Sequence, residues 1–524
     1  MSRLNKVVLS VSIIAALVAS GAMAYPVLFQ NNNSTPIDPG LTTTPKTLEE
    51  FYAQTPLWSD CEGNNTEARC GFIQVPLNWN KPEQGAIKIA VAINPASDPN
   101  NSPYLLMNPG GPGSSGHEWI TDYLDSLGTP ELRNEYNVVG FDPRGVGKST
   151  AIKCSASDER LYKFFYDQSP FEYGSEKDLN YTKQSIKKFG EACLEYTGEL
   201  LGHIDTSSAA KDMDIIRAVL GSEKLNYLGF SYGTLLGATY ASFFPENVGR
   251  FVLDGVVDPT STPEQDSINQ LVGFESAMRA YLKDCIANES DCPFRGLSVE
   301  KAMDKVGSDF LAVLEKKPAY TSEGKRTLTL ASGFTGMISA LYSESSWQYL
   351  TQAFNEFFDK KKSDGRVFLI LADAYFSYDA DLGKFKDNNN EAFKAITCID
   401  GRESNKEQDM LAQNDLVKKT SKVFGRYWQY GGLACNQWPF DVVQAPKDYS
   451  AKSAPTMLVV GTTNDPATPY SQAKHFAENV LANGHLLTYD GEGHTAYGSS
   501  NSCVANTVDD FLINGKLPKK EKTC

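Results

Sequence analysis

Gly229-Phe230-Ser231-Tyr232-Gly233 follows the apolar run 225–228 and precedes a helix-like stretch at 234–244. A G-x-S-x-G pattern in that setting needs a strand to turn sharply into a helix. Such a turn holds the serine in a strained backbone conformation with its hydroxyl pushed outward. A Cβ at either glycine would collide with the neighbouring strand or helix. In an ordinary turn the same five residues would carry no such meaning. Between strand and helix they mark Ser231 as a candidate nucleophile.

The rest of the chain supplies a sheet for this turn. Strand-like runs fall at 72–76, 87–93, 104–107, 138–141, 225–228, 251–253, 457–460 and 486–489. Helix-like segments at 118–127, 209–220, 234–244, 471–481 and 504–512 separate most of them. The first two runs read as a hairpin. The later alternation of strand and helix implies a mostly parallel sheet covered on both faces. Between Asp258 and Pro455 the rhythm stops, and helical patterning dominates at 265–285, 299–314 and 347–358. That stretch far exceeds a strand-to-strand crossover. It reads as a cap inserted over the carboxyl ends of the strands, where sheets of this kind bind ligands.

The chain has 524 residues, 41% of them hydrophobic, and a formal net charge of −15. No basic block is longer than Lys360-Lys361-Lys362, and 519–522 reads as a solvated tail. Nucleic-acid binding is therefore not expected, since nothing here would displace counterions from a phosphate backbone. Arg3 and Lys6, the apolar stretch 7–18 and Ala22-Met23-Ala24 together form a cleavable export leader over residues 1–24. No later run reaches the length of a membrane span. The residues after the leader, rich in Asn, Thr and Pro, read as a flexible lead-in to residue 47.

Ten cysteines suit an exported chain. They fall as neighbours: Cys61 and Cys70, Cys154 and Cys193, Cys285 and Cys292, Cys398 and Cys435, Cys503 and Cys524. Sequential pairing is expected because each pair would close a short loop. No C-x-x-C occurs and the five histidines are scattered, so no metal site is expected.

A serine hydroxyl needs a base, and the base needs a partner that fixes its tautomer. In sheets of this kind the order along the chain is serine, acid, histidine. Asp465 lies just past the strand at 457–460, and His494 follows the last strand-like run in a glycine-containing loop. The rivals are less well placed. His485 should sit at the far end of its strand, His475 lies in a helix-like segment, His203 precedes a helix, and His117 opens the helix after a glycine-rich loop. Asp490 and Glu492 are too near His494 in sequence to reach its far nitrogen comfortably.

The oxyanion donors expected are the N–H of Tyr232 and one from the loop Asn108-Pro109-Gly110-Gly111-Pro112-Gly113, with Gly111 as the candidate. The overlapping run from Gly111 to Gly116 also fits G-x-G-x-x-G. Pro112, however, removes a backbone N–H from a turn that would have to cradle pyrophosphate, so no nucleotide cofactor is expected.

With these pieces placed, the chain resembles the α/β-hydrolase peptidases of the prolyl aminopeptidase type. It looks closest to secreted actinobacterial tripeptidyl aminopeptidases and their carboxylesterase-A-like relatives. The resemblance runs from about Leu57 to the C-terminus. It rests on Met107-Asn108-Pro109-Gly110-Gly111-Pro112-Gly113, Gly140-Phe141-Asp142-Pro143-Arg144-Gly145-Val146-Gly147 and Gly229-Phe230-Ser231-Tyr232-Gly233-Thr234. It continues through Val252-Leu253-Asp254-Gly255, Ala395-Ile396-Thr397-Cys398-Ile399-Asp400 and Asp465-Pro466-Ala467-Thr468-Pro469. Asn108-Pro109 stands where the wider aminopeptidase pattern often has a histidine before the glycine pair.

The resemblance implies an α/β-hydrolase fold with core segments 48–259 and 455–524 and a cap at 260–454. It also implies hydrolysis of peptides from a free N-terminus, with Ser231, His494 and Asp465 as triad and no metal or cofactor. Asp400 and Glu118 are the candidates for holding the substrate ammonium. An esterase acting on small acyl substrates remains the nearest alternative, since one triad serves both reactions. A non-catalytic binding protein on the same fold is the more distant one.

Overall fold

Along each strand, apolar side chains alternate between two faces, and this decides how the chain packs. Leu105, Met107, Val138, Leu228, Val252, Leu458 and Val460 join one buried cluster. Leu106, Val139, Tyr227, Phe251, Leu253 and Val459, their immediate neighbours in sequence, join another. A sheet whose strands are apolar on both faces must be covered on both. The computed structural model, which describes residues 44–126, 128–401 and 407–524, has that arrangement. The leader expected at 1–24 and most of the lead-in lie outside the described residues.

The strands are β1 (Ser59–Asp60), β2 (Arg69–Pro76), β3 (Ala86–Asn94), β4 (Tyr104–Asn108), β5 (Asn137–Phe141), β6 (Leu225–Phe230) and β7 (Val248–Asp254). They continue with β8 (Tyr378–Asp379), β9 (Lys384–Phe385), β10 (Met457–Asn464), β11 (Gly484–Glu492) and β12 (Lys522–Thr523). All but β8 and β9 form one sheet in the order β1-β2-β3-β5-β4-β6-β7-β10-β11-β12. The expected hairpin is present, with β2 antiparallel to β3, and β3 joins β5 antiparallel. From β5 across to β12 every pairing is parallel.

Helices Thr206–Val219 and Tyr232–Phe243 cover one face through Met213, Ile216, Leu235 and Leu236. Gly116–Asp122 and Ser502–Asn514 cover the other through Trp119, Ile120, Val508 and Leu512. Each fully buried Leu or Ile contributes roughly 1.5–3 kcal/mol relative to exposure, so a one-residue slip of any central strand would exchange the faces at high cost.

Between β7 and β10 the described residues are mainly helical, with the small β8–β9 pair among them. This segment has its own apolar cluster, centred on Phe310, Phe354, Phe357 and Phe368. Helix Pro263–Asn288 opens it, capped by Thr262 with Pro263 in the first turn. Trp347–Phe358 matches expectation.

Three other runs differ from it. The run at 299–314 is an α-helix to Lys305, then a π segment at Val306–Leu311, then α again. The run at 471–481 likewise passes into a π segment at Phe476–Val480. The segment expected at 118–127 stops at Asp122 and gives way to a 3-10 turn at Leu124–Ser126, and Leu127 lies outside the described residues. Helical periodicity in apolar residues does not distinguish a regular turn from a widened or tightened one.

All five cysteine pairs join in sequential order, as expected. Loops of this size remove on the order of 3 kcal/mol each from the unfolded chain's freedom.

One buried charge pair ties the turn after β5 to the hairpin. Arg144, with no exposed surface, donates to both oxygens of Asp212 at 2.7 Å and to the carbonyls of Pro76, Leu77 and His203. Asp212→Ala leaves that guanidinium buried without its counter-charge and should cost about 3–5 kcal/mol. The urea midpoint of the oxidised protein checks this, and an unchanged midpoint would make the pair dispensable.

Candidate active site

Sterics build the elbow. Ser231 has φ 53° and ψ −124°, a region that costs a residue with a Cβ roughly 1–3 kcal/mol. Contacts on either side hold it there. Ser231 N–H donates to Asp254 O at 2.9 Å, while Ser231 O accepts from Thr234 N–H at 2.8 Å and from Thr234 Oγ1 at 2.6 Å. The motif glycines answer to close approach: a Cβ on Gly229 would stand 2.5 Å from Gly233 O, and one on Gly233 2.7 Å from Asn108 O.

Because β6, β7, β10 and β11 are adjacent and parallel, residues just past their carboxyl ends share one edge of the sheet. Ser231 follows β6, Asp465 follows β10, and His494 lies just beyond β11. His494 Nδ1 is 2.9 Å and 3.0 Å from the two oxygens of Asp465, and both side chains are buried. A carboxylate can only accept, so Nδ1 carries the proton and Nε2 is the basic nitrogen.

The acid is itself fixed. Asp465 Oδ1 accepts from the N–H of Ala467 and Thr468, and Oδ2 from Thr495 N–H and Thr468 Oγ1. Thr468 Oγ1 also stands 3.3 Å from His494 Nδ1. From the helical segment, Tyr342 O accepts His494 N–H at 2.8 Å, and the Tyr342 ring meets the imidazole edge to face at 5.4 Å. Among the described residues Ser231 Oγ makes no hydrogen bond, to His494 Nε2 or otherwise. Nucleophile–base contacts are commonly loose without substrate and tighten in its complex.

Ser231 opens onto a cavity of about 570 Å³ shared with Gly111, Pro112, Tyr232 and Thr468. Phe274, Phe334, Tyr342 and Trp428 give its lining aromatic surface. The glycine-rich loop divides its tasks. A Cβ on Gly110 would lie 2.5 Å from Phe230 O and 3.1 Å from Ser231 Cβ, so Gly110 is what lets the loop rest on the elbow. Its N–H is committed to Asn108 Oδ1 at 3.0 Å. Gly111, at φ +100°, is the glycine that faces the cavity. Tyr232 begins its helix, where N–H groups lack intrahelical acceptors.

The two candidates for an ammonium anchor separate. Asp400 lines the cavity, its oxygens accepting from Thr206 N–H at 2.8 Å and Thr206 Oγ1 at 2.5 Å. Glu118 sits in the first turn of helix Gly116–Asp122 and does not line the cavity. Glu264 and Asp266 do line it, and sequence reading missed them. Acids in a helix's first turn are commonplace, so nothing singled them out. Thr468 falls inside the Asp465–Pro469 motif with nothing in its residue type to mark a role, and Tyr342 carries no local signal at all.

No histidine, His494 included, is among the residues lining the cavity, and the other four lie elsewhere in the fold. His117 is buried with Nε2 3.1 Å from Cys70 Sγ, and burial pushes its pKa down to about 4. His203 ends a 3-10 turn at Gly198–His203. His475 is half exposed, with Nδ1 2.5 Å from Asp258 Oδ2. His485 lies at the start of β11, the end opposite His494. The alternative acids are engaged elsewhere, Asp490 with Thr463 and Glu492 with Asn464.

Residues 103–303 match the family model for the alpha/beta hydrolase fold, and residues 421–524 match the model for TAP-like proteins. Serine protease Hip1 of Mycobacterium tuberculosis is 33% identical over 487 residues, covering 89% of this chain and 90% of that protein. The chain belongs to the α/β-hydrolase family. Carboxylesterase B of Mycobacterium tuberculosis is 33% identical over 499 residues, with 93% of each chain covered. Tripeptidyl aminopeptidase of Streptomyces lividans is 29% identical over 475 residues, covering 89% of this chain and 86% of that one. This α/β-hydrolase is a serine hydrolase.

A buried carboxyl group lies in a helix that packs against the glycine-rich loop. Helix Asn389–Ile399 packs on the glycine-rich loop so closely that a Cβ on Gly113 would stand 2.6 Å from Asn389 O. Glu391 in that helix is buried, accepts Cys154 N–H at 2.6 Å, and is pushed up to about 7 by burial. In the unfolded chain this carboxyl ionises from about 4.3 upward. Between that value and pH 7 the folded state holds the extra proton, so stability falls as pH rises, by roughly 4 kcal/mol in all. Glu391→Gln should therefore raise Tm at pH 8 relative to the parent while changing it little at pH 4. Equal shifts at both pH values would contradict the assignment.

Proposed function

We propose that this protein is an exported serine peptidase that removes short peptides from free N-termini. Ser231 attacks the scissile carbonyl as His494 Nε2 takes its proton, and Asp465 holds the imidazole's tautomer and stabilises the imidazolium. The N–H groups of Tyr232 and Gly111 receive the negative charge that develops on the carbonyl oxygen. The leaving amine takes the proton back from His494, and water resolves the acyl-enzyme by the same steps in reverse. Residues 260–454 act as a cap over the strand ends, and Asp400 in the cavity wall holds the substrate ammonium.

The observation that carries this reading is the buried imidazole–carboxylate pair at the same sheet edge as a serine held at positive φ. The tripeptidyl aminopeptidase of Streptomyces lividans supports the peptide substrate. The leader-like composition expected at residues 1–24 and the five disulfides support export. The relative named carboxylesterase B favours a second reading, hydrolysis of short acyl esters by the same residues.

A fluorophosphonate probe should label the oxidised protein, and Ser231→Ala should abolish labelling. Asp465→Asn should lower kcat by about 10⁴-fold. Tripeptide chromogens with free and blocked N-termini, assayed beside a short acyl ester, separate the readings, and turnover of the ester alone would reject the peptidase. Asp400→Asn should reduce the preference for a free N-terminus, and an unchanged preference would remove Asp400 from the scheme.

A further inference from the structure

Asp254 ends β7 with no exposed surface, and no step above uses it. Its position is unusual in what it touches. In the ladder it stands opposite Phe230, the residue before Ser231, on one side, and opposite Val460 of the strand leading to Asp465 on the other. Its main-chain carbonyl accepts Ser231 N–H at 2.9 Å. Its carboxyl group accepts Ala496 N–H at 3.1 Å and 3.0 Å and Tyr497 N–H at 2.7 Å, two and three residues past His494. Between them Thr495 is held at φ 64°, with its N–H on Asp465. The histidine loop is thus gripped by the carboxyl groups of two aspartates, one of which also holds the elbow through its main-chain carbonyl.

We propose that Asp254 is a positioning residue that sets where His494 stands relative to Ser231, gripping the elbow with its main chain and the histidine loop with its carboxyl group. This rests on the reading of Ser231 and His494 given above. Two groups joined through one rigid residue keep their spacing without either being rigid itself, and about 1 Å of misplacement costs on the order of 10²-fold in rate. The titratable groups facing Asp254 are Asp465 and His494. Burial pushes its carboxyl group up to about 7, backbone N–H groups of Tyr497 and Ala496 pull it down, Asp465 opposes that and His494 assists it. Positive charge on His494 therefore favours the ionised form of Asp254.

The test compares Asp254→Asn, which keeps an oxygen for both N–H groups, with Asp254→Leu, which keeps the branched shape and no acceptor. Fluorophosphonate-reactive sites are counted, Tm is recorded, and kcat and KM are measured against pH. The Leu variant should lose about 10²-fold in kcat per folded molecule with KM within about threefold. The Asn variant should recover kcat to within about fivefold and show an acid limb of kcat/KM shifted from the parent's. If the Leu variant does not fold, Asp254→Ser replaces it and should fall between Asn and the expected Leu value. A folded Leu or Ser variant with parental kcat, or an Asn variant no better than Leu, overturns the proposal. Ser231→Ala separates the two levels: its full activity would overturn the triad reading, whereas its inactivity beside an unaffected Asp254→Leu would overturn this inference alone.

Discussion

A serine at φ 53° is costly, and the sheet edge is organised around keeping it there. The N–H of Ser231 is held by the end of β7 and its carbonyl by Thr234. Three backbones, those of Gly110, Gly229 and Gly233, come close enough that none tolerates a Cβ. Thr234 Oγ1 in turn accepts Val257 N–H at 3.0 Å, linking the helix after the elbow to the chain leaving β7. Strain of this kind persists only where surroundings over-determine it. Here the over-determination comes from four adjacent parallel strands whose loops have nowhere else to go.

The helical segment between β7 and β10 rests on those same loops. Helix Pro263–Asn288 lies so near the turn after β10 that a Cβ on Gly273 would stand 2.4 Å from Pro466 O. Tyr342 holds His494 N–H, and helix Asn389–Ile399 leans on Gly113. Asn388 fastens the start of that helix to the turn after β5, donating to Gly145 O and Ile152 O and accepting Gly147 N–H. A segment seated on three of the loops that build the site shapes the cavity and steadies its walls at once. Its aromatic lining offers apolar surface, and Asp400, Glu264 and Asp266 add negative charge to a cavity whose lining includes Lys394 as a basic residue.

Much of this was legible in the chain. Every strand-like run became a strand because two-faced apolar alternation has few other uses in a covered sheet. The elbow, Asp465 and His494 could be located because parallel topology fixes which strand ends share an edge. The cysteine pairing followed from loop length. What escaped was local geometry that one-dimensional periodicity does not encode, such as the π segments at Val306–Leu311 and Phe476–Val480. The glycine loop was read through Gly111, while Gly110 makes the contact with Ser231. Glu118 looked near the site along the chain, yet its helix carries it away from the cavity.

The sequence by itself determined the sheet, the strained serine and the order of acid and histidine, because these depend on neighbours within a few residues or on strand polarity. Only the tertiary structure decided that Asp254, Thr468 and Tyr342 converge on the acid–histidine pair. Asp254 and Ala496, whose N–H it accepts, are 242 positions apart in the chain, and that hydrogen bond depends on which strands lie side by side. Residue type and spacing cannot report that, since a buried aspartate at a strand end looks the same whether it holds a loop or nothing.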